Sequence, residues 1–200
     1  MNMTFDEAAD LLRQDLSPER YIHTIGVVKT AKELSGIYGM DVEKAAMAAL
    51  LHDCAKHMPH HERVSYCSDH GMEVSEAETD NLTLLHAKCG MIRAKEYYGI
   101  DDEDILHAIA VHTTGVPEMN LLDKIIFASD YLEPLRFEAP HLKELRILVL
   151  SDLDMTVYRI LGDMLKYLSG TEKRLDPSTQ AAHDYYKALI NRRNELQEEE

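Results

Sequence analysis

The chain has 200 residues, a size suited to one domain with a sizeable core, and its 45% hydrophobic and 28% charged content is that of a globular protein. A formal net charge of −15 argues against long nucleic acid as a partner, because such affinity comes mainly from Lys and Arg contacts to phosphates. The longest uninterrupted apolar run is seven residues (45–51), far short of the roughly 20 that span a bilayer.

Read in chain order, the sequence is helical nearly throughout. MNMTFDEAADLL is acidic and amphipathic rather than a basic-then-apolar leader, so the cytoplasm is the expected address, and a first helix is predicted over 4–15. Ser17-Pro18 caps and opens a second helix that runs to Tyr38 and stops at Gly39. Asp41 caps an alanine-rich third helix, expected over 42–55. Pro59 begins a polar section, 60–81, with one or two short helices. A helix from Leu84 to Tyr98 ends at Gly99, and Asp101 is read as the cap of another reaching His112. Further helices are expected over 118–132, over 141–167 with a break near Ser151, and over 177–197 behind the cap Asp176-Pro177. No Asn-Gly or Asp-Gly hairpin signal separates alternating strands. RILVL (146–150) is strand-like in composition and is read as helix. The expectation is an all-α single domain over 1–200. Its core lies over about 18–136, and helices over about 141–198 pack on it.

Three cysteines (Cys54, Cys67, Cys89) form no CxxC pair, which suits reduced thiols better than a disulfide framework or a thiolate zinc site. Eleven histidines are the unusual feature. His23 shares a helix face with Val27, Ala31 and Leu34, where an ordinary core histidine would bond a backbone carbonyl. Asp130 continues the face of Leu122 and Ile126, too late in its helix to cap the N-terminus. Asp53 follows Ala46 and Ala49 on a comparable face, directly after His52. His86 follows Leu84-Leu85 with Gly90 one turn on, and His112 ends the apolar AIAV. Buried carboxylates need a partner. Taken together, His23, His52, Asp53, His86, His112 and Asp130 offer nitrogen and oxygen donors suited to iron, manganese or zinc. Six ligands exceed what one open catalytic metal needs and fit two. His57, His60 and His61 are expected to be solvated, and His70, His141 and His183 to lie on the surface. His107 is read as surface or as support for a ligand.

RYIHTIGV (20–27), LLHDCAK (50–56), LLHAKCG (84–90), AIAVHTTG (108–115) and ASDYLEPLR (128–136) occur in an order that resembles the HD superfamily of metal-dependent phosphohydrolases. The chain is most similar to the YqeK-like family, the symmetrically cleaving diadenosine tetraphosphate hydrolases. The resemblance implies a helical HD fold, and His23, His52, Asp53, His86, His112 and Asp130 as ligands of two metals, iron first. Leu135 departs from it, standing where the family has glycine. Two adjacent cations lower the pKa of a shared water enough to supply hydroxide near neutral pH. Attack on a β-phosphorus of diadenosine tetraphosphate would leave two ADP. Asp53 and Lys56 are the expected catalytic residues. Arg20, Lys56, Thr113, Thr114 and Arg136 are the expected substrate contacts. The alternatives are an HD phosphohydrolase for another nucleotide, a dinuclear-iron oxygenase on the same fold, or a non-catalytic HD-like module. A small nucleotide is the expected partner. Residues beyond 140 are read as packing, with a substrate-side wall or a homodimer contact as further roles.

Overall fold

The computed structural model describes residues 3–171 and 174–198, and among them the chain forms eleven helices and no strand. The acidic tip at 199–200 lies outside the described residues. α1 (Phe5–Asp15) opens with a capping box in which Thr4 and Glu7 satisfy each other's backbone N–H groups. α2 (Pro18–Tyr38) enters through Ser17, whose hydroxyl accepts from the Arg20 N–H. It leaves through Gly39 at φ 72°, the left-handed conformation that glycine adopts without strain. α3 (Val42–Leu51) is capped by Asp41, whose carboxylate accepts from the Glu43 and Lys44 N–H groups. The remaining helices are α4 (His60–Asp69), α5 (Glu76–Asp80), α6 (His86–Glu96), α7 (Glu103–Val111), α8 (Leu121–Leu132), α9 (Leu142–Leu148), α10 (Leu153–Ser169) and α11 (Pro177–Glu198).

α3 sits at the centre, packed by α2, α7 and α8. Its Ala45, Ala46, Ala48, Ala49, Leu50 and Leu51 are all buried, and the small alanines let three neighbours approach at once. Leu50 and Leu51, each contributing roughly 2 kcal/mol by burial, pin the end of α3 so that the residues after it stay inside. α6 packs on α7, α10 on α8, and α11 on α10. A smaller core of Ala55, Cys67, Leu85, Cys89 and Ile92 joins α4 to α6, and all three thiols are free. None of the described helices is long and apolar enough to cross a membrane.

Several boundaries differ from the sequence reading. α3 ends at Leu51, not Ala55, because the backbone tightens into three-residue turns: the Cys54 N–H donates to Leu51, Lys56 to Asp53, and Met58 to Ala55. The buried Arg63 locks that stretch, donating to the carbonyls of Lys56 and Met58 and, across the small core, of Leu82. α6 starts at His86 and ends at Glu96, with turns on either side of it. α7 is capped by Asp102 rather than Asp101, since Asp102 Oδ1 is the acceptor within reach of the Asp104 and Ile105 N–H groups. α8 starts at Leu121 because Glu118 takes a left-handed φ of 56° and Asn120 then forms a capping box with Asp123. The break near Ser151 is real: α9 closes at Leu148 and Asp152 caps α10.

Candidate metal centre

Five helices deliver six side chains to one point. His23 comes from the second turn of α2 and Asp130 from the last turn of α8. His52 and His112 are the C-cap residues of α3 and α7, with Asp53 following, and His86 is the first residue of α6. Three of these helices therefore end at the cluster, where the negative end of the helix dipole favours a cation.

Three of the four histidines are fixed in one tautomer. Nδ1 of His52 lies 2.7 Å from the Ala49 carbonyl, Nδ1 of His86 2.5 Å from that of Thr83, and Nδ1 of His112 2.7 Å from that of Ile109. A carbonyl only accepts, so each Nδ1 carries the proton and each Nε2 presents a lone pair to the centre. His23 has a carboxylate at Nδ1 in place of a carbonyl, with Glu133 Oε1 3.4 Å away. Acceptors then face acceptors. Nε2 of His86 is 3.1 Å from Nε2 of His112 and 3.1 Å from Asp53 Oδ1. Nε2 of His23 is 3.1 Å from Asp130 Oδ1, and Nε2 of His52 is 3.6 Å from Asp53 Oδ2. His23 Nε2, His52 Nε2 and Asp53 Oδ1 are buried with no hydrogen-bond partner.

Two triads, His23–His52–Asp130 and His52–Asp53–His112, each bring their ligand atoms within 4.8 Å of one another and share His52, with His86 beside the second. A divalent cation of intermediate hardness fits these facing lone pairs. Burial pushes the His52 imidazole down to about 4 and lowers that of His86, with the Asp53 carboxylate pulling both the other way. Burial also opposes the charge on Asp130, but the His23 contact, His52 and Arg136 hold it well below the usual carboxylate range. Both histidines stay neutral and both carboxylates charged at neutral pH, the protonation states that metal binding requires.

Three cations ring the cluster. Arg20 lies 3.0 Å from Asp53 Oδ2, Lys56 3.4 Å from Asp53 Oδ1 and 3.1 Å from His86 Nε2, and Arg136 3.1 Å from Asp130 Oδ1. Lys56 reaches inward from the turn after α3. Thr113 Oγ1 stands 3.2 Å and 3.1 Å from Nε2 of His86 and His112. Thr114 lines two side cavities that Thr113 also lines. His107 is half exposed and bonds the fully buried Asp123 of the α8 capping box, apart from the cluster. His61 is 82% exposed, while His141 bonds Asp163 and the half-buried His183 stacks on Tyr158.

The sequence reading missed the supports. Glu133 is buried, contacts His23 and accepts the Leu135 N–H at 2.7 Å. Arg146 of α9 donates to the carbonyls of Leu132, Glu133 and Arg136, fixing the loop that carries Arg136. Gly26 was the available signal, as a helix-interior glycine marks a close approach. A Cβ there would stand 2.6 Å from Glu133 Oε2.

The family model for the HD domain matches residues 20–135, the stretch that supplies every side chain of the cluster. The chain is 37% identical over 186 residues to the symmetrical bis(5′-nucleosyl)-tetraphosphatase of Halalkalibacterium halodurans, covering 91% of this chain and 96% of the relative. It is 36% identical to the enzyme of the same name from Bacillus subtilis, covering 92% and 97%. Its fold is similar to the crystal structure of a protein from Clostridium acetobutylicum described as a predicted HD superfamily hydrolase involved in NAD metabolism, with a TM-score of 0.91 at 39% identity, covering 94% of this chain and 100% of that one.

Proposed function

The chain belongs to the HD-domain family, in the branch of the symmetrical bis(5′-nucleosyl)-tetraphosphatases, and on that premise we propose that it hydrolyses diadenosine tetraphosphate at the central anhydride to give two ADP. The observation that carries the reading is the convergence of four imidazole Nε2 atoms and two carboxylates, ringed by three cations. His23, His52, Asp53, His86, His112 and Asp130 would hold two divalent metal ions; the donor set suits iron, with manganese or zinc as substitutes. Metals bound there would polarise phosphoryl oxygens and acidify a water to near neutral pKa.

The chain's own part is electrostatic. Arg20, Lys56 and Arg136 have side chains 38%, 26% and 35% exposed, so a polyanion can reach them. Their present partners are Asp53 and Asp130; once those carboxylates face metal cations, the three side chains are free to meet phosphate oxygens. The leaving ADP is a stabilised phosphate anion, so placing positive charge matters more than general-acid help. Lys56, with Nζ between Asp53 and His86, is the group positioned to meet charge that develops on the phosphates. The Thr113 hydroxyl, now against two ligand nitrogens, would turn to donate to a phosphate oxygen. This cationic rim supports a polyanionic substrate over oxygenase chemistry.

The test is product analysis. Protein loaded with ferrous iron without oxygen should convert diadenosine tetraphosphate to ADP alone, and Asp53→Ala should lose bound metal and turnover together. ATP plus AMP would overturn the cleavage position. No product at confirmed metal occupancy would overturn the substrate, and an active Asp53→Ala that keeps its metal would overturn the site.

A further inference from the structure

A cavity of about 580 Å³ opens beside the cluster, and Arg136, which touches Asp130, lies in its wall. Its other walls come from the end of α8, the loop after it and α10. Phe137 is 77% exposed and Tyr167 is 68% exposed, yet both line this one hollow, together with Tyr131. Large rings left open to water cost free energy unless something covers them. Glu138 and Asp163 also line the hollow, and Asp163 is already bonded to His141 and Tyr131.

We propose that this cavity is the subsite for one nucleoside half of the substrate, with a purine base against Phe137 and Tyr167 and its phosphates directed to Arg136. The proposal rests on the dinucleotide reading above and adds the residues that hold the nucleoside. The volume lies in the range of small-molecule sites, which are mainly apolar and aromatic with a few fixed polar groups. The charge distribution sets the orientation. Arg136 attracts phosphate at the inner end, while Glu138 and Asp163 repel it elsewhere and offer acceptors to ribose hydroxyls or an exocyclic amine. Flat rings accept any base by its π-face, so Phe137 and Tyr167 would supply affinity. Tyr167 also borders a second hollow of about 210 Å³ that contains Thr113 and Thr114, on the side of His86 and His112. A substrate with two identical ends needs two such places, and Tyr167 is the wall they share.

The experiment compares wild type with Phe137→Ala, Tyr167→Ala and Tyr167→Phe, all at exposed positions where folding is insensitive to the change. Initial rates with diadenosine tetraphosphate give KM, and inhibition by ADP and by inorganic pyrophosphate gives two inhibition constants. Both alanine variants should raise KM and the ADP constant about tenfold, the scale of one lost base–aromatic stack. The pyrophosphate constant should move less than twofold, and Tyr167→Phe should behave as wild type. If wild type forms ADP but the alanine variants keep KM and the ADP constant within twofold, the subsite is wrong while the reaction stands. If wild type forms no ADP, the reaction itself fails. A Phe137→Ala change that alters only the sedimentation of the protein would assign the ring to a second copy of the chain and overturn the proposal.

Discussion

Gly26→Ala tests whether the cluster is held from behind by Glu133. An alanine Cβ would lie 2.6 Å from Glu133 Oε2, where ordinary contact starts near 3.4 Å, so the carboxylate must retreat by about 0.8 Å. Retreat is not free. Oε2 accepts the Leu135 N–H at 2.7 Å, Oε1 lies 3.4 Å from His23 Nδ1, and the side chain is only 5% exposed. The movement disturbs the contact of Glu133 with His23 Nδ1, which orients the ring from behind. Removing such a support typically costs about 10- to 100-fold in metal affinity. Alanine for glycine in a helix interior gains about 0.5–1 kcal/mol, which offsets much of the cost of displacing Glu133, so global stability should change little. Gly36→Ala, in the same helix with open space around it, supplies the control. The assay is competition for ferrous iron or manganese against a chelator of known affinity, alongside urea unfolding of the chelated protein. Gly26→Ala should bind metal at least tenfold more weakly than Gly36→Ala. Equal affinities in the two variants would refute the reasoning.

Arg63→Ala leaves the carbonyls of Lys56, Met58 and Leu82 without their donor inside the small core. It should cost about 3 kcal/mol or more by urea unfolding; a loss under about 1 kcal/mol would show that the loop is held by other means. Lys56→Gln should lower turnover at least tenfold while the metal content measured by elemental analysis is unchanged, and a parallel loss of metal would recast Lys56 as a structural group. The chelated protein should be acid-labile. His52 titrates at about 4 when folded against 6.5 ordinarily, so between those values the unfolded chain binds more protons. That contribution is full above pH 6.5 and lost as pH falls toward 4, making the protein about 2 kcal/mol less stable at pH 5 than at pH 7. The check is a pair of urea titrations, and equal midpoints would mean that His52 is not held neutral by burial.

What could be read from the sequence follows from how local each signal is. Ser17-Pro18, Gly39 and Asp41 act on backbone groups within a few residues of themselves, and the helices start and stop there. The break between α9 and α10 was legible for the same reason, since Asp152 supplies its own cap. The end of α3 was not, because Arg63 fixes it from the next helix, and HHERVSYC reads as a solvated polar run. The clustered histidines and aspartates were legible because polar residues on apolar faces conflict with their surroundings, and that conflict is written in the spacing.

The supports of the site carry no such conflict. Glu133 stands before a proline at a helix end, where a solvated carboxylate is ordinary, and Arg146 lies in the charged stretch KELR. Each works on atoms that every residue has, a backbone N–H or carbonyl, so neither partner is marked by its side chain. Phe137 and Tyr167 are thirty positions apart and meet only through the packing of α10 on α8. Gly26 is the exception, since its cost in a helix interior asks what approaches it, and the structure answers with Glu133. The chemistry of this chain was therefore readable where it opposes folding. The architecture that orients that chemistry agrees with folding, and became visible only through contacts between distant segments.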